Sequence, residues 1–316
     1  MRRNPVNDTA AMSPRLIYTS VAFLLLHSCL AAQTLQLHPE NPRWFQWRGK
    51  TTVLITSAEH YGAVLNADFD FVRYLDALEK DGMNYTRIFS GSYVEPEGAF
   101  GISRNTLAPA SGRFLPPWSR SSEPGYAGGG NKFDLSSFSE EYLDRIKAFV
   151  READRRGVVV ELTLFCSTYS DKQWEVHPLN PRNNIQGIAV PDWMKLNTTK
   201  TPKAILEVQR SLTRWLVREL NEFDNLFFEI QNEPWSDNHT MGDFINPYLA
   251  GTKNWANSVE IVTEESISWQ RQIAREIVAA EQQLPKRHLI GQNVANFQFA
   301  LRDADVVNEA SVLNFH

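Results

Sequence analysis

Cysteine is scarce in this 316-residue sequence, which contains only Cys29 and Cys166. Cys29 lies in an N-terminal segment that we expect to be removed, so no disulfide is expected within the mature chain. The fold must therefore be held together by its core. A hydrophobic content of 42% in a chain of this length is enough for one large domain or two small ones.

Motifs of several common enzyme classes are also missing. No predicted strand is followed by G-x-G-x-x-G or G-x-x-x-x-G-K-[ST], which argues against a nucleotide-binding protein. The sequence has no H-E-x-x-H and no short spacing of metal ligands, and it has no G-x-S-x-G, which argues against a metal site and against an esterase. We therefore expect neither a cofactor nor a metal.

The N-terminus has the features of a secretory signal peptide. An apolar run, Leu16–Leu26, follows three arginines and precedes C-L-A-A-Q, and it is too short to span a membrane as a mature helix. This predicts a signal peptide at 1–32, a mature domain at 33–316, and a secreted or periplasmic location. A membrane association is expected only if Cys29, whose context loosely resembles a bacterial lipobox, carries a lipid.

Positive charge is in short supply. The formal net charge of −5 becomes −7 when residues 1–32, with their three arginines and one aspartate, are removed. Because nucleic-acid binding depends on basic surfaces, an acidic exported chain is a poor candidate for that function.

The chain repeats a strand-then-helix pattern, which predicts a parallel sheet covered on both faces. The predicted strands are Val53–Ser57, Asn84–Phe89, Val158–Phe165, Leu226–Gln231, His288–Gln292 and Val312–Phe315. The predicted helices are Phe69–Leu78, Ser136–Arg156, Pro202–Phe223 and Glu264–Gln283, after an edge hairpin within Leu37–Lys50. The loops from strand to helix are long, and those from helix to strand are short. This favours a barrel whose long loops lie at one end over an open doubly wound sheet.

The most informative stretch is Leu226–Trp235, which reads L-F-F-E-I-Q-N-E-P-W. Proline biases the residue before it toward extended geometry. Glu233 is therefore predicted to be the last residue of the fourth strand, with its side chain facing outward at the C-terminal end of that strand. There it is either a general acid/base acting on a sugar or a carboxylate that caps the next helix.

At N-E-P, the sequence resembles the retaining (β/α)8 glycoside hydrolases of clan A, the superfamily of cellulases and mannanases that includes family 5. The resemblance covers roughly residues 35–316 and implies that Glu233 is the acid/base and that Asn232 binds the substrate 2-hydroxyl. It also implies a site arginine at the end of strand 2, supplied by Arg87, and a histidine at the end of strand 6, supplied by His316. Arg87 either holds the nucleophile or forms an internal salt bridge, and both roles are compatible.

The sequence departs from that family at its C-terminal end. The family's nucleophile is a second glutamate at the end of strand 7, and only six strands are counted here. We therefore expect an α/β fold in the form of an incomplete (β/α)8 TIM barrel, with about six of eight βα units and a C-terminally truncated domain.

Two further residues are weaker candidates for contacts with the substrate. His60, after the first predicted strand, either meets a sugar hydroxyl or is a core histidine. Trp235 is one of five tryptophans in the long loops, with Trp118, Trp174, Trp193 and Trp255, and it lies nearest the acid/base candidate. Aromatic rings stack on the apolar faces of sugars, although such residues also form small loop cores.

Together these observations predict a retaining glycoside hydrolase that acts on a polysaccharide or oligosaccharide, with a carbohydrate as its partner. The alternative is an inactive truncated product or a non-catalytic carbohydrate-binding protein. Neither the glycan nor its linkage can be read from the sequence.

Overall fold

The computed structural model describes residues 34–56, 60–234, 241–243, 258–260, 262–295 and 305–315. The predicted signal peptide lies outside this set. No helix in the described ranges is long and apolar enough to cross a membrane.

The described strands and helices follow one another largely as the periodicity predicts. The strands are β1 (Gln36–Leu37), β2 (Phe45–Trp47), β3 (Lys50–Thr52), β4 (Tyr85–Phe89), β5 (Trp118–Pro124), β6 (Asn131–Phe138), β7 (Val159–Cys166), β8 (Leu226–Asn232), β9 (Met241–Asp243), β10 (Ser258–Glu260), β11 (Ile290–Ala295) and β12 (Val312–Phe315). The helices are α1 (Phe71–Lys80), α2 (Glu140–Arg155), α3 (Asp171–Val176), α4 (Lys203–Leu220) and α5 (Glu264–Glu281).

The central sheet contains five parallel strands in the order β12-β11-β8-β7-β4. Each strand lies beside its predecessor in the chain, and the order never reverses. A doubly wound sheet requires such a reversal, whereas a barrel grows by adding every new strand on the same side. The described sheet is therefore part of a barrel, as the sequence predicts.

Short polar residues begin most of the helices. Asp70 accepts a hydrogen bond from the first turn of α1, Ser139 from α2 and Thr263 from α5. These caps satisfy backbone N–H groups that have no partner inside the helix. The apolar faces of α1, α2, α4 and α5 then pack into the same hydrophobic core as the central strands.

Before the barrel, the predicted edge hairpin is confirmed as β2 and β3, with β1 pairing on the other side of β2. Arg48 and Gly49 connect the two strands with φ of 51° and 73°. Positive φ at both central residues gives the tight turn that matches the twist of a hairpin.

The first predicted barrel strand, Val53–Ser57, is wrong in its described part. Residues 53–56 belong to no strand, and the side chains of Val53 and Ile55 are 49% and 51% exposed. Backbone groups of these two residues instead bond to Asn84, whose amide accepts from Ile55 and donates to Val53. The Asn84 N–H also donates to the Ile55 carbonyl at 3.1 Å, so this segment is joined to the start of β4 by one backbone hydrogen bond and one side chain rather than by a strand ladder.

A second difference concerns the long loop after β4. Strands β5 and β6 form an antiparallel hairpin inside it, and residues 136–138, predicted as the start of α2, belong to β6. Ser139 ends the hairpin and caps the helix. Trp118, predicted to lie on the working face, is only 1% exposed and belongs to the core.

Candidate active site

The candidate site lies where β7 and β8 end. Cys166 is the last residue of β7 and Asn232 the last of β8, and parallel strands end at the same edge of their sheet. A cleft of about 310 Å³ opens there. Its walls are formed by Tyr61, Phe89, Glu95, Phe100, Leu107, Cys166, Tyr169, Asn232 and Glu233.

Glu233 follows β8 rather than ending it, which corrects the prediction from Pro234. Its φ is 48°, in the left-handed region that a residue before proline rarely adopts. Neighbouring strands hold this backbone in place, because its N–H donates to Asn293 Oδ1 at 3.0 Å and its carbonyl accepts from Ser167 Oγ at 2.8 Å. Strained backbone held by its surroundings is common at functional sites.

The carboxylate of Glu233 is oriented by Tyr169. The Tyr169 hydroxyl donates to Glu233 Oε2 at 2.7 Å and accepts from Asn232 Nδ2 at 2.9 Å. Burial raises the pKa of Tyr169 far above its usual range, so the hydroxyl keeps its proton. The sequence analysis missed this residue. Its position three residues beyond the end of β7 was the only available signal.

Asn232 is held from its other side by Arg87. Arg87 donates to Asn232 Oδ1 at 2.9 Å, and its Nε donates to Glu229 Oε2 at 3.0 Å. Burial lowers the pKa of Arg87, but the carboxylates of Glu229 and Glu161 outweigh burial and hold that pKa above its ordinary value. The internal salt bridge that the sequence analysis allowed for Arg87 is therefore present with Glu229.

Arg87, Asn232, Tyr169 and Glu233 form one chain of hydrogen bonds from the barrel interior to the cleft. Because Arg87 only donates, the Asn232 oxygen must face it and the amide nitrogen must face Tyr169. The orientation of each polar group therefore depends on the group behind it.

A second carboxyl group, Glu95, lines the same cleft and was not singled out by the sequence analysis. It accepts hydrogen bonds from the Tyr93 hydroxyl, at 2.9 Å, and from the Asn105 amide. Burial raises the pKa of Glu95 and outweighs these two hydrogen bonds, which lower it.

His60 does not belong to the cleft wall. Its ring lies 4.9 Å from the ring centres of both Phe69 and Tyr74, and burial lowers its pKa. His60 is therefore partly buried against two aromatic rings, and its contact with a sugar hydroxyl stays a prediction. Trp235, His316 and Trp255 lie outside the described residues. Trp174 and Trp193 are described, and neither lines the cleft, whose aromatic residues are Tyr61, Phe89, Phe100 and Tyr169.

No protein-family model matches the sequence, and no curated protein sequence gives a significant match. Solved structures do match. A Bacteroides vulgatus ATCC 8482 protein to which glycoside hydrolase activity has been attributed is 13% identical, with a TM-score of 0.50, over 86% of this chain and 41% of its own. The endo-1,4-β-mannanase of Rhizomucor miehei is 11% identical, with a TM-score of 0.49, over 82% of this chain and 60% of its own. The β-mannanase of the blue mussel Mytilus edulis is 13% identical, with a TM-score of 0.46, over 83% of this chain and 63% of its own.

This chain spans less than two thirds of the length of each of these proteins. The likeness to the Bacteroides vulgatus structure shows that the two share a fold, and it agrees with the strand order of the central sheet. The α/β barrel fold expected from the sequence is therefore confirmed, with five parallel strands in the described residues. Because one fold supports many activities, the function rests on the site itself.

Proposed function

We propose that this protein is a glycoside hydrolase in which Glu233 is the acid/base residue. The observation that carries the proposal is the position of Glu233 on the wall of a cleft with four aromatic side chains, where Tyr169 orients its carboxylate and Asn232 lies beside it. Aromatic faces suit the apolar faces of sugar rings, while carboxylate and amide groups suit hydroxyls and glycosidic oxygens.

In the proposed reaction, protonated Glu233 gives its proton to the glycosidic oxygen as the bond to the anomeric carbon breaks. A second carboxylate attacks that carbon and forms a glycosyl ester, and the leaving alcohol departs. Glu233, now ionised, removes a proton from a water that displaces the ester, so the configuration is retained. This mechanism places the second carboxylate about 5 to 5.5 Å from the first. The family resemblance assigns it to a glutamate at the end of a seventh strand.

The proposed substrate is an oligosaccharide or polysaccharide outside the cytoplasm. The predicted signal peptide supports export to a secreted or periplasmic location, and the acidic charge disfavours nucleic acid as a partner.

The test is hydrolysis of aryl β-glycosides and of cello- and manno-oligosaccharides by the 316-residue chain. Glu233→Gln is expected to lower kcat/KM by roughly 100-fold or more, because general acid/base groups contribute that much. Glu79→Gln, a matched change on the outer helix α1, is expected to change nothing. With a dinitrophenyl glycoside, which needs little acid assistance, azide is expected to restore turnover to Glu233→Ala.

An unchanged rate in Glu233→Gln would overturn the proposed role of Glu233, and absence of turnover in the parent chain would favour the alternative of an inactive product. Saccharide binding without turnover would instead support the alternative of a non-catalytic carbohydrate-binding protein.

A further inference from the structure

The loop from Glu95 to Leu107 forms one side of the cleft and is closed at its base by hydrogen bonds. The Glu95 N–H donates to the Leu107 carbonyl at 2.8 Å, and the Leu107 N–H donates to Asn105 Oδ1 at 2.9 Å. Thr106 Oγ1 accepts from the Gly62 N–H at 3.2 Å, which ties the loop to the turn before α1. Hydrogen bonds therefore fix both ends of the loop, which limits the positions of the side chains between them.

Glu95 is a buried carboxyl group with unused capacity to accept hydrogen bonds. Its side chain is 7% exposed, and it has no ion pair in the part of the chain that the structure describes. A carboxylate offers about four acceptor positions, and Tyr93 and Asn105 occupy two of them. The same two donors fix its orientation. The remaining positions are available to hydroxyl groups of a molecule in the cleft.

Phe100 supplies an apolar surface on the same loop. It is 62% exposed and has a φ of 54°, a backbone conformation that few residues with side chains adopt. Its ring centre lies 5.4 Å from that of Tyr169 in an edge-to-face arrangement. Because Tyr169 also holds Glu233, Phe100 places an exposed aromatic ring beside the candidate acid/base residue.

Glu95 also lines a second, larger cleft of about 800 Å³. Val94, Asn105, Phe114 and Tyr126 are among the residues of its wall. Because Glu95 lines both clefts, a saccharide that extended from Glu233 into the larger one would meet this carboxyl group.

We infer that the loop from Glu95 to Leu107 forms a sugar-binding subsite next to Glu233. In this subsite, the Glu95 carboxylate accepts hydrogen bonds from two neighbouring hydroxyls of a pyranose, and Phe100 packs on the apolar face of the ring. The inference rests on the proposed function, because it places the bound sugar within a saccharide that also reaches Glu233. It adds a recognition element on a loop, apart from the ends of the barrel strands.

The test measures binding of cello- and manno-oligosaccharides of two to six units by titration calorimetry. Glu233→Gln serves as the background, so that bound saccharide is not consumed. Adding Glu95→Gln, which keeps the size and removes the charge, is expected to weaken binding of the longer saccharides roughly tenfold, as expected for loss of hydrogen bonds to a charged group. Adding Phe100→Leu is expected to have a similar effect. In both variants, affinity should increase less with the length of the saccharide than it does in the background.

Two control variants match these changes. Glu79→Gln, on α1, and Trp44→Leu, a half-exposed aromatic residue before β2, are expected to leave every affinity unchanged. Thermal unfolding of each variant identifies any loss caused by misfolding. Reduced binding at an unchanged melting temperature supports the subsite.

The inference and the proposed function fail in different ways. If Glu233→Gln abolishes turnover while Glu95→Gln and Phe100→Leu bind all saccharides as tightly as the background, the function stands and the subsite is wrong. If neither the parent chain nor its Glu233→Gln variant binds any saccharide, both are wrong.

Discussion

At the scale of single residues, the Tyr169 hydroxyl connects two parts of the site. It accepts from Asn232, whose orientation is set by the buried Arg87, and it donates to Glu233. A hydroxyl can do both at once, whereas an amide or an ammonium group cannot do so through one atom. The position of the proposed acid/base carboxylate therefore depends on a residue that needs no contact with the substrate.

Tyr169→Phe is expected to lower kcat/KM at least tenfold, because a hydrogen bond to a charged group contributes about 1.5–3 kcal/mol. The measurement is steady-state hydrolysis of an aryl β-glycoside alongside the melting temperature. Tyr142→Phe is the matched control, because the buried Tyr142 hydroxyl has no hydrogen-bond partner among the described residues. Equal activity of the two variants would show that Tyr169 does not position Glu233.

Asn232 and Glu233 could be identified because they end and follow a recognisable strand. Arg87 was implied by the family resemblance, and it lies in the middle of β4 rather than at the predicted strand end. Tyr169 and Glu95 lie in irregular loops, where a residue's position depends on contacts that no periodicity encodes. The tryptophans show the same limit. Trp118 lies in a loop by sequence, yet the β5–β6 hairpin carries it into the core, and tyrosine and phenylalanine line the cleft instead.

At the scale of elements, the loop from Glu95 to Leu107 is held against the turn before α1. A β-carbon at Gly62 would lie 2.0 Å from the Thr106 carbonyl oxygen, which is a backbone atom that cannot rotate away. Glycine at this position therefore permits a close approach of two backbones. The neighbouring residue, Tyr61, also lines the cleft.

Gly62→Ala is expected to push the loop away from this turn and to lower stability by about 1–3 kcal/mol, the usual cost of overpacking. Oligosaccharide affinity is expected to fall as well, because Glu95 and Tyr61 move apart. Both effects can be read from chemical denaturation and calorimetry. Gly291→Ala in β11 is the control, since its β-carbon would meet no atom closer than 3.5 Å. Unchanged stability and affinity in Gly62→Ala would contradict this account.

Most elements were predictable because helix and strand periods are local properties of the sequence. The segment 53–56 was not, because an apolar run becomes a strand only where a neighbour pairs with it, and Asn84 takes the backbone groups of Val53 and Ile55. The strand β6 was also missed. Its last residues, 136–138, directly precede the helix cap Ser139, and their sequence is compatible with the helical spacing of α2.

At the scale of the whole molecule, the interior of the sheet contains a buried group of charges. Arg87 lies opposite Glu161 in the register of β4 and β7, and it pairs with Glu229 of β8. Asn314 of β12 donates to Glu161 Oε1 at 2.7 Å and to Glu229 Oε1 at 3.0 Å. Arg87 is therefore the positive charge next to two buried carboxyl groups, those of Glu161 and Glu229. The strands β4, β7 and β8 each contain a single charged residue, and the alignment of these residues in one layer emerges only from the register.

This arrangement makes stability depend on pH. Burial, and then the charge of Glu229, raise the pKa of Glu161 to about 7, while Arg87 lowers it by a smaller amount. The unfolded chain has a glutamate pKa of about 4.3. Because the folded value is the higher one, the favourable contribution of Glu161 is complete below pH about 4 and is lost as the pH rises through about 7.

Glu161→Gln is expected to remove this dependence, because an amide stays neutral. Its oxygen can accept from Asn314, and its NH2 group can donate to the Tyr85 hydroxyl, which also acts as an acceptor. Relative to the variant, the parent should lose on the order of 3 kcal/mol of unfolding free energy between pH about 4 and 7, at about 1.4 kcal/mol per pH unit. Urea denaturation at several pH values measures this difference, with Glu79→Gln as the exposed control. Parallel curves for the parent and Glu161→Gln would show that Glu161 is already ionised in the folded protein, with Arg87 compensating both carboxylates.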